Sequence, residues 1–190
     1  MTRVATRSKL TADEYLAWER VQPDKHEFFD GEVFAMAGGS FRHNWISGNV
    51  LRELSRVLVG CFTFTSDQRV GLDDGKRFVY PDVSVVCGAI QSRDGTTDVL
   101  LNPTVIVEVL STSTEPYDRG LKWEGYQRLS SLSDYLLVSQ HEVRVEQFQR
   151  AAGGRWSYQT YGPGESVLIA DGAALEVDAV YVRAFELAGD

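Results

Sequence analysis

Residues 104–110 read Thr-Val-Ile-Val-Glu-Val-Leu, a near-continuous β-branched run. Such a run offers water no polar face, so it predicts a strand covered on both sides, inside a sheet. One residue breaks it. Alternation places Glu108 on the same face as Ile106 and Leu110, where an ionised carboxylate is costly unless a cation compensates it. A second acid, Asp82, stands in a similar setting, Phe-Val-Tyr-Pro-Asp-Val-Ser-Val-Val over residues 78–86. The chain must therefore build a covered sheet that tolerates two acids among its apolar strands.

The flanking segments supply the cover. Thr11-Ala12-Asp13-Glu14 is a helix start, and that helix should end before Pro23. Asp30-Gly31, between apolar segments 26–29 and 32–37, is a hairpin turn. After Gly38-Gly39-Ser40, residues Ile46, Val50, Leu54, Val57 and Leu58 recur at helical spacing, and Gly60 ends the helix. Strands follow at 61–65, 68–72 and 77–86, with a turn at Asp73-Asp74-Gly75, and residues 88–101 read as a loop. Pro116 suits the first turn of a helix over 117–129. Further strands are expected at 134–139, 142–149, 155–161 and 166–169, while 181–187 is ambiguous. The order predicts a mixed α/β (α+β) fold: a central mixed sheet flanked by helices, with extra β-hairpins. At 190 residues one domain is expected, spanning 11–187 after a flexible segment 1–10.

Composition excludes several classes. With 43% apolar and 24% charged residues, intrinsic disorder is out. No apolar run reaches the roughly 18 residues of a membrane helix, and residues 1–10 lack a signal-peptide core, so no membrane role and a cytoplasmic location are expected. Two cysteines make no disulfide framework, and Cys61 and Cys87 are expected to be small buried hydrophobes. The net charge is −8 and uneven: residues 1–95 carry 12 basic and 13 acidic groups, residues 96–190 carry 7 and 14. A phosphate backbone, which needs Lys and Arg, would approach across the first half, with Arg42, His43 and Arg77 bordering the cleft.

Chemistry concentrates on three residues. Asp82 and Glu108 on neighbouring strands would offer hard oxygens to a Mg²⁺ ion, which uses one or two carboxylates and keeps several waters. Lys122 lies 14 residues after Glu108, on the returning helix, and its ammonium group would orient or deprotonate a water or stabilise a transition state. The same pattern is also served by a structural ion-pair cluster of the acids with Lys122 and Arg119. Spacing alone leaves both readings open.

The ordered motifs carry a resemblance. Tyr80-Pro81-Asp82-Val83, Glu108-Val109-Leu110-Ser111-Thr112-Ser113-Thr114-Glu115, Tyr117-Asp118-Arg119-Gly120-Leu121-Lys122, Tyr126 and Tyr135-Leu136-Leu137-Val138 resemble the Uma-type putative restriction endonucleases of the PD-(D/E)XK nuclease superfamily. His26-Glu27-Phe28-Phe29-Asp30-Gly31-Glu32 and His43 resemble that family's N-terminal pattern, and the likeness spans residues 10–182. It implies a restriction-endonuclease-like fold and a metal-dependent endonuclease hydrolysing DNA phosphodiester bonds. By that resemblance Asp82 and Glu108 bind Mg²⁺ or Mn²⁺ with the carbonyl of Val109, and Glu27 is the additional N-terminal acid. Lys122 stands for the lysine that the superfamily pattern expects at Leu110. DNA and a second copy of the chain are the expected partners. A catalytically inactive regulatory or binding domain that retains the nuclease fold is the alternative.

Overall fold

The first hairpin turns on two residues with positive φ, Asp30 (45°) and Gly31 (93°), the pair that a type I′ turn requires. A Cβ on Gly31 would come within 2.8 Å of the Lys9 side chain, so glycine is needed for space as well. The computed structural model describes residues 2–4, 9–170 and 172–189. Its elements are β1 (Thr2–Val4), α1 (Ala12–Glu19), β2 (His26–Phe29), β3 (Glu32–Ala35), α2 (Phe41–Val57), β4 (Cys61–Thr65), β5 (Arg69–Leu72), β6 (Arg77–Val79), β7 (Val83–Cys87), β8 (Val99–Leu100) and β9 (Val105–Leu110). A helical stretch over residues 115–126 follows, then β10 (Asp134–Ser139), β11 (Val145–Arg150), β12 (Trp156–Tyr161), β13 (Ser166–Ile169) and β14 (Ala173–Glu176).

Both helix starts are capped by their own sequence. Thr11 and Glu14 form a reciprocal capping box on α1, and the Ser40 hydroxyl accepts the His43 N–H at the head of α2. Over residues 115–126 the middle, Asp118–Lys122, widens into a π turn, a local feature often found at functional sites.

Two six-stranded sheets form. One runs β1-β3-β2-β6-β5-β8, the other β12-β11-β10-β9-β7-β4, and β13-β14 is a separate hairpin. In the second sheet β9 and β10 are parallel, while the other neighbours are antiparallel. Every residue of β9 is buried, as a doubly covered strand should be. On one face, Val105, Val107 and Val109 pack with Ile46, Val50 and Leu54 of α2. On the other, Ile106 and Leu110 pack with Val70, Leu72 and Val79 of the first sheet and with Tyr126. Glu108 thus faces the layer between the sheets.

The structure corrects several expectations. Residues 77–86 are not one strand: β6 ends in the first sheet, β7 begins in the second, and Tyr80-Pro81-Asp82 crosses between them. Pro81 brings no N–H to a ladder, which suits it to that break. Within 88–101 the short β8 pairs in parallel with β5. Of the N-terminal segment, residues 2–4 form β1, which pairs with β3, while residues 1 and 5–8 lie outside the described residues.

Cys61 and Cys87 are not free hydrophobes but a disulfide. Register explains it: β4 and β7 place the two residues directly opposite, with Cα atoms 4.3 Å apart, although 26 positions separate them in sequence. Reducing this bridge should lower the unfolding free energy by about 2–4 kcal/mol while leaving the fold intact. Urea melts with and without dithiothreitol measure the difference; coincident melts would show that the strands hold without the link.

Candidate active site

The acids meet where the chain crosses between the sheets. β7 and β9 pair Val83 with Val107 and Ser84 with Ile106, so continuing that register by one residue sets Asp82 opposite Glu108. Asp82 Oδ2 accepts the backbone N–H of Val109 at 2.7 Å, which fixes its carboxylate against β9. From α2, His43 Nε2 lies 3.4 Å from the same oxygen, so His43 faces Asp82. Glu27 on β2 accepts the Tyr80 N–H at 3.0 Å and is 1% exposed.

Lys122 stands at the centre of the cluster. Its Nζ is 2.9 Å from Glu108, 3.2 Å from Asp118 and 3.4 Å from Glu27. The ring of Tyr117 lies 5.5 Å from the same nitrogen. Tyr126 adds a hydroxyl bond to Glu108 Oε1 at 2.8 Å. These groups line a cavity of about 670 Å³ together with Asp82, His43, Gly38, Gly39 and the hydroxyl-bearing loop Ser111-Thr112-Ser113-Thr114, apart from Tyr126, which stands behind Glu108.

The electrostatics are those of crowded acids around one cation. Burial drives the Glu108 carboxyl well above its ordinary value of 4.5; Asp118 and Asp82 add to the rise and Lys122 opposes it. Burial likewise raises Glu27 and Asp118, each opposed mainly by Lys122. For Lys122, burial disfavours the charge, but Glu108, Glu27 and Asp118 together outweigh it and hold the ammonium well above its ordinary range. Lys122 is therefore a fixed cation rather than a proton acceptor at neutral pH.

The remaining sequence candidates lie elsewhere. Arg42 donates to the carbonyls of Leu187 and Gln140 and covers the Phe185 ring, pinning the C-terminal segment. Arg77 is 8% exposed, paired with Asp73 at 2.8 Å and bonded to the Leu121 carbonyl at 2.7 Å. Neither lines the cavity; of the three residues expected to border the cleft, His43 does. Arg119 turns from the acid cluster to grip Glu146 and Glu115. Asp118 was the residue missed. Its available signal was an acid four positions before a lysine on a helix, a spacing that places the two on one face.

The cavity presents four carboxylates, Glu27, Asp82, Glu108 and Asp118, against Lys122 and His43. That excess of hard anionic oxygens fits a divalent cation, and Asp82 with Glu108 are the pair on adjoining chain segments. No three His, Cys, Asp or Glu side chains among the described residues form a ready-made cage. A small oxygen-seeking ion that keeps its waters needs none.

The balance of charges fixes the sign of two substitutions. Removing one of several crowded carboxylates relieves repulsion, so without metal at pH 7 Glu108→Gln should be neutral or stabilising. Lys122→Ala should cost about 3–5 kcal/mol, because it orphans buried acids. The raised Glu108 pKa means its stabilising protonation is complete below pH 4.5 and is lost as pH rises through the folded value. The Glu108→Gln melting temperature should consequently gain on the parent as pH increases above 4.5. Parallel melts across pH test this; a constant difference between the two proteins would refute it.

A family model, Uma2, described as "Putative restriction endonuclease", matches residues 12–180. One uncharacterised protein of Synechocystis sp. is 37% identical over 176 residues, covering 91% of this chain and 92% of that one. Another from the same organism is 35% identical over 158 residues, covering 82% and 89%. The crystal structure of a "putative nuclease" from Anabaena variabilis matches with a TM-score of 0.69 over 92% of this chain and 99% of the other. At 16% identity that likeness shows a shared fold. On the extent of the model match and of the Synechocystis identities, the chain belongs to the Uma2 family.

Proposed function

We propose that this protein is a metal-dependent endonuclease that hydrolyses DNA phosphodiester bonds at the cavity between its two sheets. One observation carries the reading: Asp82 and Glu108 face a common cavity, with the Lys122 ammonium 2.9 Å from Glu108. Family membership supports the reaction class.

Asp82 and Glu108 would hold Mg²⁺ or Mn²⁺, with the Val109 carbonyl as a third oxygen. When bound, the ion supplies an activated water and offsets charge on the scissile phosphate. Lys122 supplies a second positive charge that stays protonated, so it orients the nucleophile and stabilises the developing negative charge. Glu27 and Asp118 help to keep that ammonium in place. His43 steadies Asp82. With Arg42 and Arg77 committed elsewhere, backbone N–H groups and hydroxyls of the Gly38-Gly39 and Ser111–Thr114 loops are the contacts left for the DNA backbone.

A second reading has its own support: Lys122 is fully engaged by three acids and the chain carries a net charge of −8, both compatible with a binding domain that keeps the fold without cleavage. Cleavage of plasmid DNA decides. The parent should cut only with Mg²⁺ or Mn²⁺, and Asp82→Ala should abolish both cutting and Mn²⁺ binding by calorimetry. Binding of DNA without any cutting would favour the second reading, and unchanged Mn²⁺ binding in Asp82→Ala would remove that residue from the metal site.

A further inference from the structure

A second buried polar cluster adjoins the cavity through Tyr80, which lines it. Glu19, the last residue of α1, is 5% exposed and does not line the cavity. Its Oε1 accepts the Tyr80 hydroxyl at 2.9 Å and the His26 backbone N–H at 2.8 Å. Its Oε2 lies 3.1 Å from Nδ1 of His26. The Tyr80 oxygen in turn accepts two bonds from Arg69, at 2.9 Å from Nε and 2.7 Å from Nη2. Arg69 is tied onward to Asp98 at 3.2 Å. Burial, above all, pushes the Tyr80 phenol up to about 12, so it remains a donor to Glu19 at physiological pH.

The two residues that Glu19 holds flank the site acids. His26 immediately precedes Glu27, and Tyr80 is joined to Asp82 through Pro81, whose ring fixes its φ and stiffens the link. Tyr80 also donates its backbone N–H to Glu27. One carboxylate on α1 therefore grips both chain segments that deliver acids into the cavity from the first sheet and from the crossing.

We propose that Glu19 and the Tyr80 hydroxyl, braced by Arg69, are positioning residues that set Asp82 and Glu27 for metal and substrate. This inference rests on the nuclease reading and adds to it the device that aligns its acids. Outer partners of metal-site groups characteristically alter affinity or activity about 10–100-fold when removed.

Mn²⁺ alone, titrated calorimetrically into the whole chain, is the probe, with DNA cleavage measured alongside. Tyr80→Phe and Glu19→Ala should each weaken Mn²⁺ binding about 10–100-fold and lower kcat while leaving KM for DNA little changed. Glu19→Gln keeps an acceptor toward both donors and should restore most of the binding. Val167→Ala, which opens a cavity in the core on the α2 side of the second sheet, shows what lost stability alone does and should bind Mn²⁺ as the parent does. Where Tyr80→Phe does not fold, the Glu19→Ala and Glu19→Gln pair carries the comparison. Parental Mn²⁺ affinity and kcat in folded Tyr80→Phe, or in Glu19→Ala, overturn the positioning role and leave the nuclease reading standing. A parent chain that neither binds Mn²⁺ nor cleaves DNA overturns both.

Discussion

The Lys122 ammonium is the point on which the two sheets agree. Its carboxylate neighbours come from three places: Glu27 from the first sheet, Glu108 from the second, and Asp118 from the helical stretch that bears the lysine itself. None of these acids is comfortable alone, since burial disfavours every one of their charges. A single cation common to all three makes the polar centre compatible with the apolar layers around it. The compensation is incomplete, because three acids share one positive charge. That residual imbalance is the feature on which the proposed metal site rests.

Much of this was legible because it depends on short-range rules. The β-branched run of β9 announced a strand covered on both faces, and alternation put Glu108 between Ile106 and Leu110, on the inner layer where it lies. Asp30-Gly31 announced its hairpin, and the apolar spacing from Ile46 to Leu58 announced α2. What stayed hidden depends on long-range register. Cys61 and Cys87 pair because β4 and β7 do, a fact that no local pattern contains. Tyr80-Pro81-Asp82 looked like the middle of one strand because both halves are apolar; only the tertiary fold sends them to different sheets.

Charge was the least readable property. Arg42 and Arg77 sit in polar or turn-rich sequence and look available, yet each guanidinium is spent on backbone carbonyls, with Asp73 also held by Arg77. Arginine's planar fork suits it to such internal bracing as well as to phosphate. A linear count of basic residues cannot separate the two uses. Asp118 shows the reverse: an acid in a highly charged helical segment resembles solvated surface, but the π turn carries it inward beside Lys122.

The parallel pairing of β9 with β10 has a topological meaning for this cavity. Parallel neighbours need a crossover, and here the chain between them is the segment that holds the Ser111–Thr114 loop, Asp118 and Lys122. A nascent chain that has zipped β10 alongside β9 has therefore already laid its lysine over the strand bearing Glu108. Closing the central sheet therefore also means closing that long connection, a cost in chain entropy that local helix formation does not remove.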